Sequence, residues 1–289
     1  MTKRRRSPRN YLIEVPSDGL MTYDVGPWAE EKYRRMGMYA EMFSTGMKNA
    51  WDALVYLDLF AGPGHSVIRG TQRTVLGSPL ISLELPDRFH RYVFADGNSK
   101  ALHALRRRVK KLAPDVDVRY SDGDANDKIE EIIEHLSANH LGPRTLTFCF
   151  LDPYGLNIHF ETVRRLSANR PVDFLILLAL FIDANRNVER YANEESEVID
   201  RFLGDGNWRP RWVEAQSLGR PFVAFLAEEY SGRMASLGYI PMTLDQMVKI
   251  RSYDKRLPLY YLAFFSRDKQ GIKFWEQVLK YADDQLRLL

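Results

Sequence analysis

Short apolar runs alternate with helix-forming stretches through the middle of the chain, and this alternation constrains the fold more than any other feature. A run that is apolar at nearly every position predicts a strand covered on both faces. Strands separated by helices pair in parallel through right-handed crossovers. The sequence therefore predicts an α/β fold with a doubly wound, mostly parallel sheet in an αβα sandwich. The predicted strands lie within Ala53–Phe60, Arg91–Asp96, Val116–Asn126, Arg144–Gly155 and Asp173–Phe181.

The pattern changes after Asp183. Residues 184–219 predict a helical insertion with a loop. Two late apolar runs, Tyr239–Ser252 and Pro258–Ser266, predict an antiparallel strand pair because only a short turn joins them. Ahead of the first strand, Pro27–Asn49 predicts a helix that starts at a proline. Its apolar residues recur at helical spacing and predict a stripe that packs in the core. The stripe consists of Trp28, Tyr33, Met36, Tyr39, Ala40 and Phe43. We expect one domain over residues 25–289, preceded by a flexible basic tail over residues 1–24.

Composition narrows the class of protein. A single cysteine, Cys149, excludes an internal disulfide and a cysteine metal cluster. The six histidines show no paired ligand spacing, so no metal is predicted. The most apolar stretch, Phe174–Ile182, is too short to cross a bilayer. Because no secretory signal is recognisable either, no membrane association and a cytoplasmic setting are expected.

The positive charge is concentrated near the N-terminus. Five of the 41 basic residues lie within residues 1–10, which leaves 36 basic and 38 acidic residues in the nearly neutral remainder of the chain. The tail fits contact with nucleic acid or another polyanion, and it equally fits a disordered, solubilising end. A second basic cluster, Leu105–Lys111, predicts the solvated face of a helix. The tail cations are Lys3, Arg4, Arg5, Arg6 and Arg9.

The first predicted strand ends in the sequence DLFAGPG, where Asp58 precedes two closely spaced glycines, Gly62 and Gly64. Glycine has no Cβ atom, so its backbone can approach a ligand closely and can adopt a positive φ. Asp58, just inside the strand end, could meet an ammonium group. A tight strand-to-loop turn explains the same residues without any ligand, so this motif alone leaves both interpretations open.

Acidic residues also follow the next three predicted strands, at Asp96, Asp124 and Asp152. The carboxyl ends of parallel strands share one rim of the sheet, so these residues are expected to lie together. An aspartate at the second strand end can accept two hydrogen bonds from a ribose, and one at the third can accept from an exocyclic amino group. The rim would suit a purine nucleoside that carries a cationic group. The sequence contains no G-x-x-x-x-G-K-[ST] or G-x-G-x-x-G phosphate motif.

The motifs LDLFAGPG, VFADGN, SDGDAN and LDPYG, in this order, resemble those of S-adenosylmethionine-dependent methyltransferases. A narrower resemblance is to the three-Cys-motif partner (TcmP) family. It rests on the stretch from Val25 to Gly64, on GSPL, FLDPYG and ANRN, and on the late PLYYLAFFSRDKQGIKFW. It covers nearly the whole chain after residue 24. It implies a methyltransferase-like fold and, as partner, a protein that carries the three cysteines.

The methyltransferase resemblance implies S-adenosylmethionine as cofactor and gives roles to individual residues. Asp96 would hold its ribose, and Asp124 would face its adenine. Asp58, Gly62 and Gly64 would line its methionine part, and Phe60 would also bind the cofactor.

LDPYG is similar to the Asp-Pro-Pro-Tyr motif of enzymes that methylate exocyclic amino groups. By this resemblance Asp152 and the Pro153 carbonyl would accept the hydrogens of the target amine, and Tyr154 would stack on a flipped base. This chain has tyrosine third and Gly155 fourth, which shifts the ring by one residue. A Pro-Tyr-Gly turn after a buried strand accounts for the same residues without catalysis.

Four further positions are open to two interpretations each. Asn185 and Arg186 follow the fifth strand and either meet a substrate or begin a helix. His65 either contacts the cofactor or faces solvent. The segment Trp208–Trp212 mixes arginines with tryptophans, which suits nucleic acid but also a packed aromatic loop.

Three functions remain at this stage. The first is a methyltransferase that acts on an amino group of a nucleic-acid base, together with a three-Cys-motif protein. The second is a non-catalytic cofactor-binding regulator of that partner. The third is a nucleic-acid-binding module, which the nearly neutral body disfavours.

Overall fold

The computed structural model describes residues 9–137, 141–252 and 257–286, with side chains described up to residue 280. Its main sheet has seven strands in the order β6-β5-β2-β7-β8-β10-β9. The first five of these pair in parallel, and β10 runs antiparallel to both of its neighbours. The predicted fold class is therefore confirmed, including the late antiparallel pair. The strands are β2 (Ala53–Asp58), β5 (Arg91–Asp96), β6 (Val118–Asp122), β7 (Thr145–Leu151), β8 (Val172–Leu178), β9 (Val248–Arg251) and β10 (Pro258–Phe265).

Helices cover the faces of the sheet, which is why β2, β5 and β8 are buried at every position. Helix α1 packs against α2 and α10, and α4 packs against α5. Within the described residues, no helix combines the length and the apolarity needed to cross a bilayer. The helices are α1 (Ala29–Met47), α2 (Ser78–Leu83), α3 (Ser99–Leu112), α4 (Ile129–Leu136), α5 (Phe160–Ser167), α6 (Val188–Ala192), α7 (Val198–Leu203), α8 (Trp208–Ser217), α9 (Phe222–Ser236) and α10 (Lys269–Leu286).

A second, three-stranded sheet was not predicted. Strand β1 (Tyr23–Val25) pairs in parallel with β3 (His65–Ile68), and β3 pairs antiparallel with β4 (Thr74–Leu76). The β3–β4 hairpin lies along the chain between α2 and the loop after β2, residues 59–64, which is called the glycine loop below. It therefore brings an N-terminal strand beside the end of β2.

The N-terminal segment, residues 9–26, is packed onto the domain. Tyr11 and Leu12 are buried in the core, and Glu14 forms a β-bridge with Val75. The prediction of a flexible tail over residues 1–24 is therefore wrong from residue 9 onward, and residues 1–8 lie outside the described part of the chain. Composition misled here because a few apolar anchors outweigh the neighbouring charges.

Arg108 anchors this segment, and the prediction of a fully solvated α3 face fails at this position. Its guanidinium is buried and forms two hydrogen bonds with Asp18, at 2.6 and 2.8 Å. It also donates to the carbonyls of Met21 (2.8 Å) and Pro63 (2.6 Å). One side chain thus ties the N-terminal segment to the glycine loop.

The region predicted as an insertion is helical in the structure, from a short 3-10 helix at Ala184–Arg186 through α6, α7 and α8. Trp208 and Trp212 are buried against Phe222 and Phe225 of α9. The neighbouring arginines are paired with acids: Arg209 with Asp200, and Arg211 with Asp205 and Glu229. This segment is a packed helix, and its aromatic rings are unavailable for stacking on a ligand.

Candidate functional site

A cavity of about 530 Å³ lies at the carboxyl ends of β2, β5, β6 and β7. Its volume is in the range of small-molecule sites. It also lies where doubly wound sheets bind ligands. It brings together five predicted cofactor residues and the three predicted catalytic ones. They are Phe60, Gly62, Gly64, Asp96 and Asp124, with Asp152, Pro153 and Tyr154.

The glycine loop requires its glycines. Gly62 and Gly64 have φ values of +61° and +86°, in the left-handed region. A Cβ atom on Gly64 would lie 2.8 Å from the side chain of Leu105, so a larger residue would displace the loop or the helix below it. The loop backbone is thereby exposed to the cavity without side chains in the way.

Asp96 holds this loop against the sheet. Its carboxylate accepts hydrogen bonds from the backbone N–H of Gly62 at 2.7 Å and of Asn98 at 2.8 Å, one on each oxygen. Burial raises its pKa, and these two donors oppose the rise. Each carboxylate oxygen can accept a second hydrogen bond. Asp96 can therefore position the loop and still accept from hydroxyl groups in the cavity.

Asp58 does not line the cavity, contrary to expectation. It is fully buried beneath the loop and accepts from the Phe60 N–H at 3.2 Å and from the Tyr56 hydroxyl at 3.4 Å. It also interacts with Ser78, the first residue of α2. Burial raises the pKa of Asp58 to about 7. Its role is to support the loop from below.

The loop that contains Asp124 is fixed to the loop after β7. Asp124 lines the cavity and accepts from the Asn126 N–H at 2.8 Å. The Asn126 amide donates to the carbonyl of Asn157 (2.8 Å) and accepts from the Thr162 hydroxyl (2.7 Å). These hydrogen bonds tie together the loops after β6 and β7, although β5 and β2 lie between those two strands in the sheet.

Lys32 of α1 forms a buried ion pair with Asp152 through the Oδ2 atom of the carboxylate. Their side chains are 9% and 17% exposed, and both line the cavity. Burial raises the pKa of Asp152 and by itself would lower that of Lys32, but the carboxylate raises the pKa of the lysine above its ordinary value. Lys32 therefore keeps its proton and its positive charge beside the carboxyl group.

Sequence reasoning missed Lys32, although a signal was present. The predicted apolar stripe of α1 includes Trp28 and Met36, and Lys32 lies midway between them at i,i+4 spacing. A lysine inside an apolar stripe needs a buried partner. The stripe is confirmed as core from Met36 onward, whereas Trp28 and Tyr33 also line the cavity.

The glycine in LDPYG has a steric reason. A Cβ atom on Gly155 would lie 2.5 Å from Oδ2 of Asp183, which accepts from the next backbone N–H at 2.9 Å. Asp183, another residue that the sequence did not single out, also accepts from the hydroxyl of Tyr191 at 2.6 Å. Asp183 thus fixes the backbone of the Pro-Tyr-Gly turn through this hydrogen bond.

Aromatic rings lie at the mouth of the cavity. Tyr154 is 65% exposed and meets Tyr23 edge-on, with ring centroids 6.2 Å apart. The exposed Arg69 guanidinium, also in the lining, lies 5.4 Å from the ring of Trp28. All four residues line the cavity. A flat ligand could stack here beside a cation.

Three weaker candidates lie outside the cavity lining. Asn185 and Arg186 are exposed in the short 3-10 helix. His65 is buried at the start of β3, and burial together with Arg108 lowers its pKa to about 4. It is therefore neutral at pH 7. Among the residues the structure describes, no group of acidic, histidine or cysteine side chains is placed to hold a metal ion.

Comparison with known proteins gives distant structural neighbours. No family model matches the chain, and no curated protein does. Trm1 from Pyrococcus horikoshii, solved with S-adenosyl-L-methionine, is 14% identical with a TM-score of 0.41, over 85% of this chain and 58% of its own. A candidate S-adenosylmethionine-dependent methyltransferase from Listeria monocytogenes is 13% identical with a TM-score of 0.42, over 81% and 100%. Geranyl diphosphate methyltransferase in complex with SAM is 12% identical with a TM-score of 0.36, over 88% and 93%. Because these identities and TM-scores are low, the fold is assigned from the strand order of the chain itself.

Proposed function

We propose that this protein is an S-adenosylmethionine-dependent methyltransferase that acts on an amino group of a nucleic-acid base. The observation that supports it best is the convergence of the motif-bearing loops after β2, β5, β6 and β7 on one cavity. The residues fit the cofactor: the glycine loop leaves room for backbone contact, and Asp96 and Asp124 are acceptors for hydroxyl and amino groups.

When bound, S-adenosylmethionine supplies a methyl group bonded to a positively charged sulfur. Asp152 would accept a hydrogen bond from the target amine and stabilise the positive charge that develops as the nitrogen attacks. Lys32 occupies Oδ2, and among the described residues Oδ1 has no hydrogen-bond donor assigned to it. Lys32 is thus a positioning residue that leaves the second oxygen for the amine.

Tyr154 would hold the base. Its exposed ring at the mouth of the cavity offers a stacking surface, and the edge of Tyr23 limits its movement. The one-residue shift of the tyrosine relative to the Asp-Pro-Pro-Tyr motif therefore still leaves an aromatic ring beside Asp152. By the TcmP resemblance, a three-Cys-motif protein is the proposed partner.

Calorimetry with S-adenosylmethionine and S-adenosylhomocysteine tests the cofactor. We expect one site per chain, weakened in Asp96→Ala by up to a few kcal/mol because a charged acceptor is lost. Asp87→Ala removes an exposed carboxylate that pairs with Lys48, and it serves as the matched control. Absence of binding for both ligands at millimolar concentration would refute the proposal.

Methyl transfer separates the enzyme from a non-catalytic regulator. Labelled methyl transfer to RNA, DNA and protein is measured with the three-Cys-motif partner present. Asp152→Ala should retain cofactor binding and lose transfer to nucleic acid by about 100-fold or more. Cofactor binding without transfer to any of these pools would favour the regulator.

A further inference from the structure

Helix α3 carries a basic face that the proposed chemistry does not use. The lysines and arginines of this face are exposed, and none forms an ion pair with any residue that the structure describes. By contrast, Arg164 and Arg201 on other helices are each paired with a glutamate. No acidic residue occurs in the helix. The basic face of α3 consists of Lys100, Arg106, Arg107, Lys110 and Lys111.

Part of this charge has a local explanation. Lys110 and Lys111 lie in the last turn, where cations are stabilised by the helix dipole. Lys100 lies in the first turn, where the dipole opposes a cation, and Arg106 and Arg107 lie in the middle. The helix dipole therefore does not explain why these three cations are present. Arg106 is held in place because its guanidinium lies 4.3 Å from the ring of Tyr120.

The character of the face indicates which partner would bind. A membrane-surface helix inserts apolar side chains, but Leu102, Leu105 and Val109 of α3 are buried against the domain. A protein interface needs apolar or aromatic anchors at its centre, and the basic face contains none. A repeating polyanion needs only spaced cations, which this helix presents over about 17 Å from Lys100 to Lys111.

The position of α3 connects the face to the cavity. Asn98 caps the helix by accepting from the N–H groups of Lys100 (3.1 Å) and Ala101 (3.3 Å), and it also lines the cavity. The basic face therefore starts beside the cavity and leads away from it.

We propose that the basic face of α3 binds the phosphate backbone of single-stranded nucleic acid and directs the strand toward the cavity. The choice of nucleic acid among polyanions rests on the proposed function. A strand bound along α3 has bases free to enter the cavity, since they are unpaired and can stack on aromatic rings.

Fluorescence anisotropy with a labelled 20-nucleotide RNA and the matching DNA, over a series of salt concentrations, tests the proposal in the full chain. Arg106→Ala/Arg107→Ala should weaken binding by at least 10-fold at low salt. It should also lower the salt slope by about 1.4, since each neutralised phosphate of a single strand contributes about 0.7. The control, Arg164→Ala/Arg201→Ala, removes the same charge from paired, exposed positions. Circular dichroism checks that both variants fold.

The outcomes discriminate between the proposals. Equal affinity and salt slope in the two double variants would overturn a role for α3, as would absence of binding by the unmodified chain. Equal binding of heparin or of anionic vesicles would overturn nucleic acid as the partner. Cofactor binding is measured separately by calorimetry, so a chain that binds RNA through α3 but no S-adenosylmethionine would refute the proposed function and leave the surface intact.

Discussion

Replacing Lys32 with methionine removes the ammonium group that pairs with Asp152 while keeping most of the apolar side-chain stem. The Asp152 side chain, which is 17% exposed in the structure, would then lack that cation. Breaking a buried ion pair costs about 3–5 kcal/mol because the remaining charge is left uncompensated. Protonation limits the cost, since neutralising a carboxyl group of pKa near 3.9 at pH 7 requires about 4 kcal/mol. We therefore expect Lys32→Met to lower the free energy of unfolding by about 2–4 kcal/mol at pH 7.

The effect should depend on pH in a defined direction. In the variant the folded-state pKa of Asp152 lies above its unfolded value, so the folded state binds the proton more tightly. The loss of stability should therefore shrink as the pH falls from 7 toward 4. Urea denaturation at several pH values measures both the size and the slope.

Two comparisons test this reasoning. Lys48→Met breaks the more exposed pair with Asp87, in which the side chains are 42% and 30% exposed, and should cost 1 kcal/mol or less, as is usual for surface ion pairs. Lys32→Met/Asp152→Asn removes both charges and should recover part of the lost stability. A cost for Lys32→Met no larger than that for Lys48→Met, or one that is the same at pH 5 and pH 7, would refute a buried ion pair at this site.

Three other substitutions probe the supports of the cavity. Because burial raises the pKa of Asp58 to about 7, the free energy of unfolding should fall as the pH rises from 4 through 7. Asp58→Asn should flatten this pH profile in a denaturation series. An unchanged slope would contradict the raised pKa of Asp58. Arg108→Met should release the N-terminal segment, seen as faster amide exchange there with the main sheet unaffected; equal protection would show that this anchor is dispensable. Gly155→Ala should lower the free energy of unfolding by about 1–3 kcal/mol because its Cβ would clash with Asp183. In the control Gly206→Ala the added Cβ meets no atom within 4 Å, so the change should stay within about 0.5 kcal/mol. Equal losses in the two variants would contradict the clash with Asp183.

The sequence was informative about the main sheet because its strands are apolar along their whole length and separated by clear helical patterns. Strand β5 has the predicted bounds, and β2 ends within two residues of its prediction. The order of the motifs along the chain then placed Asp96, Asp124 and Asp152 at one rim. These inferences depend on local pattern and on the geometry of parallel sheets.

The small sheet and the ion pair could not be found in this way. Strands β1 and β4 have three residues each, and β1 pairs with β3, which follows some 40 residues later along the chain. Such pairing leaves no local periodicity. Lys32 and Asp152 are 120 positions apart, so only the packing of α1 shows that they meet. Asp58 was misplaced for a related reason: the motif indicates that an acid is needed, but not whether it faces the ligand or the loop.

Because Tyr23 and Val25 form one wall of the cavity, docking of the N-terminal segment and ligand binding are thermodynamically linked. A ligand that contacts this wall binds only molecules in which the segment is docked. Its measured Kd is therefore the intrinsic Kd divided by the fraction of molecules in the docked state. Conversely, saturating ligand stabilises docking by RT ln(1 + [L]/Kd). Any change that shifts the docking equilibrium, even one made far from the cavity, will therefore alter the apparent affinity without altering a single ligand contact.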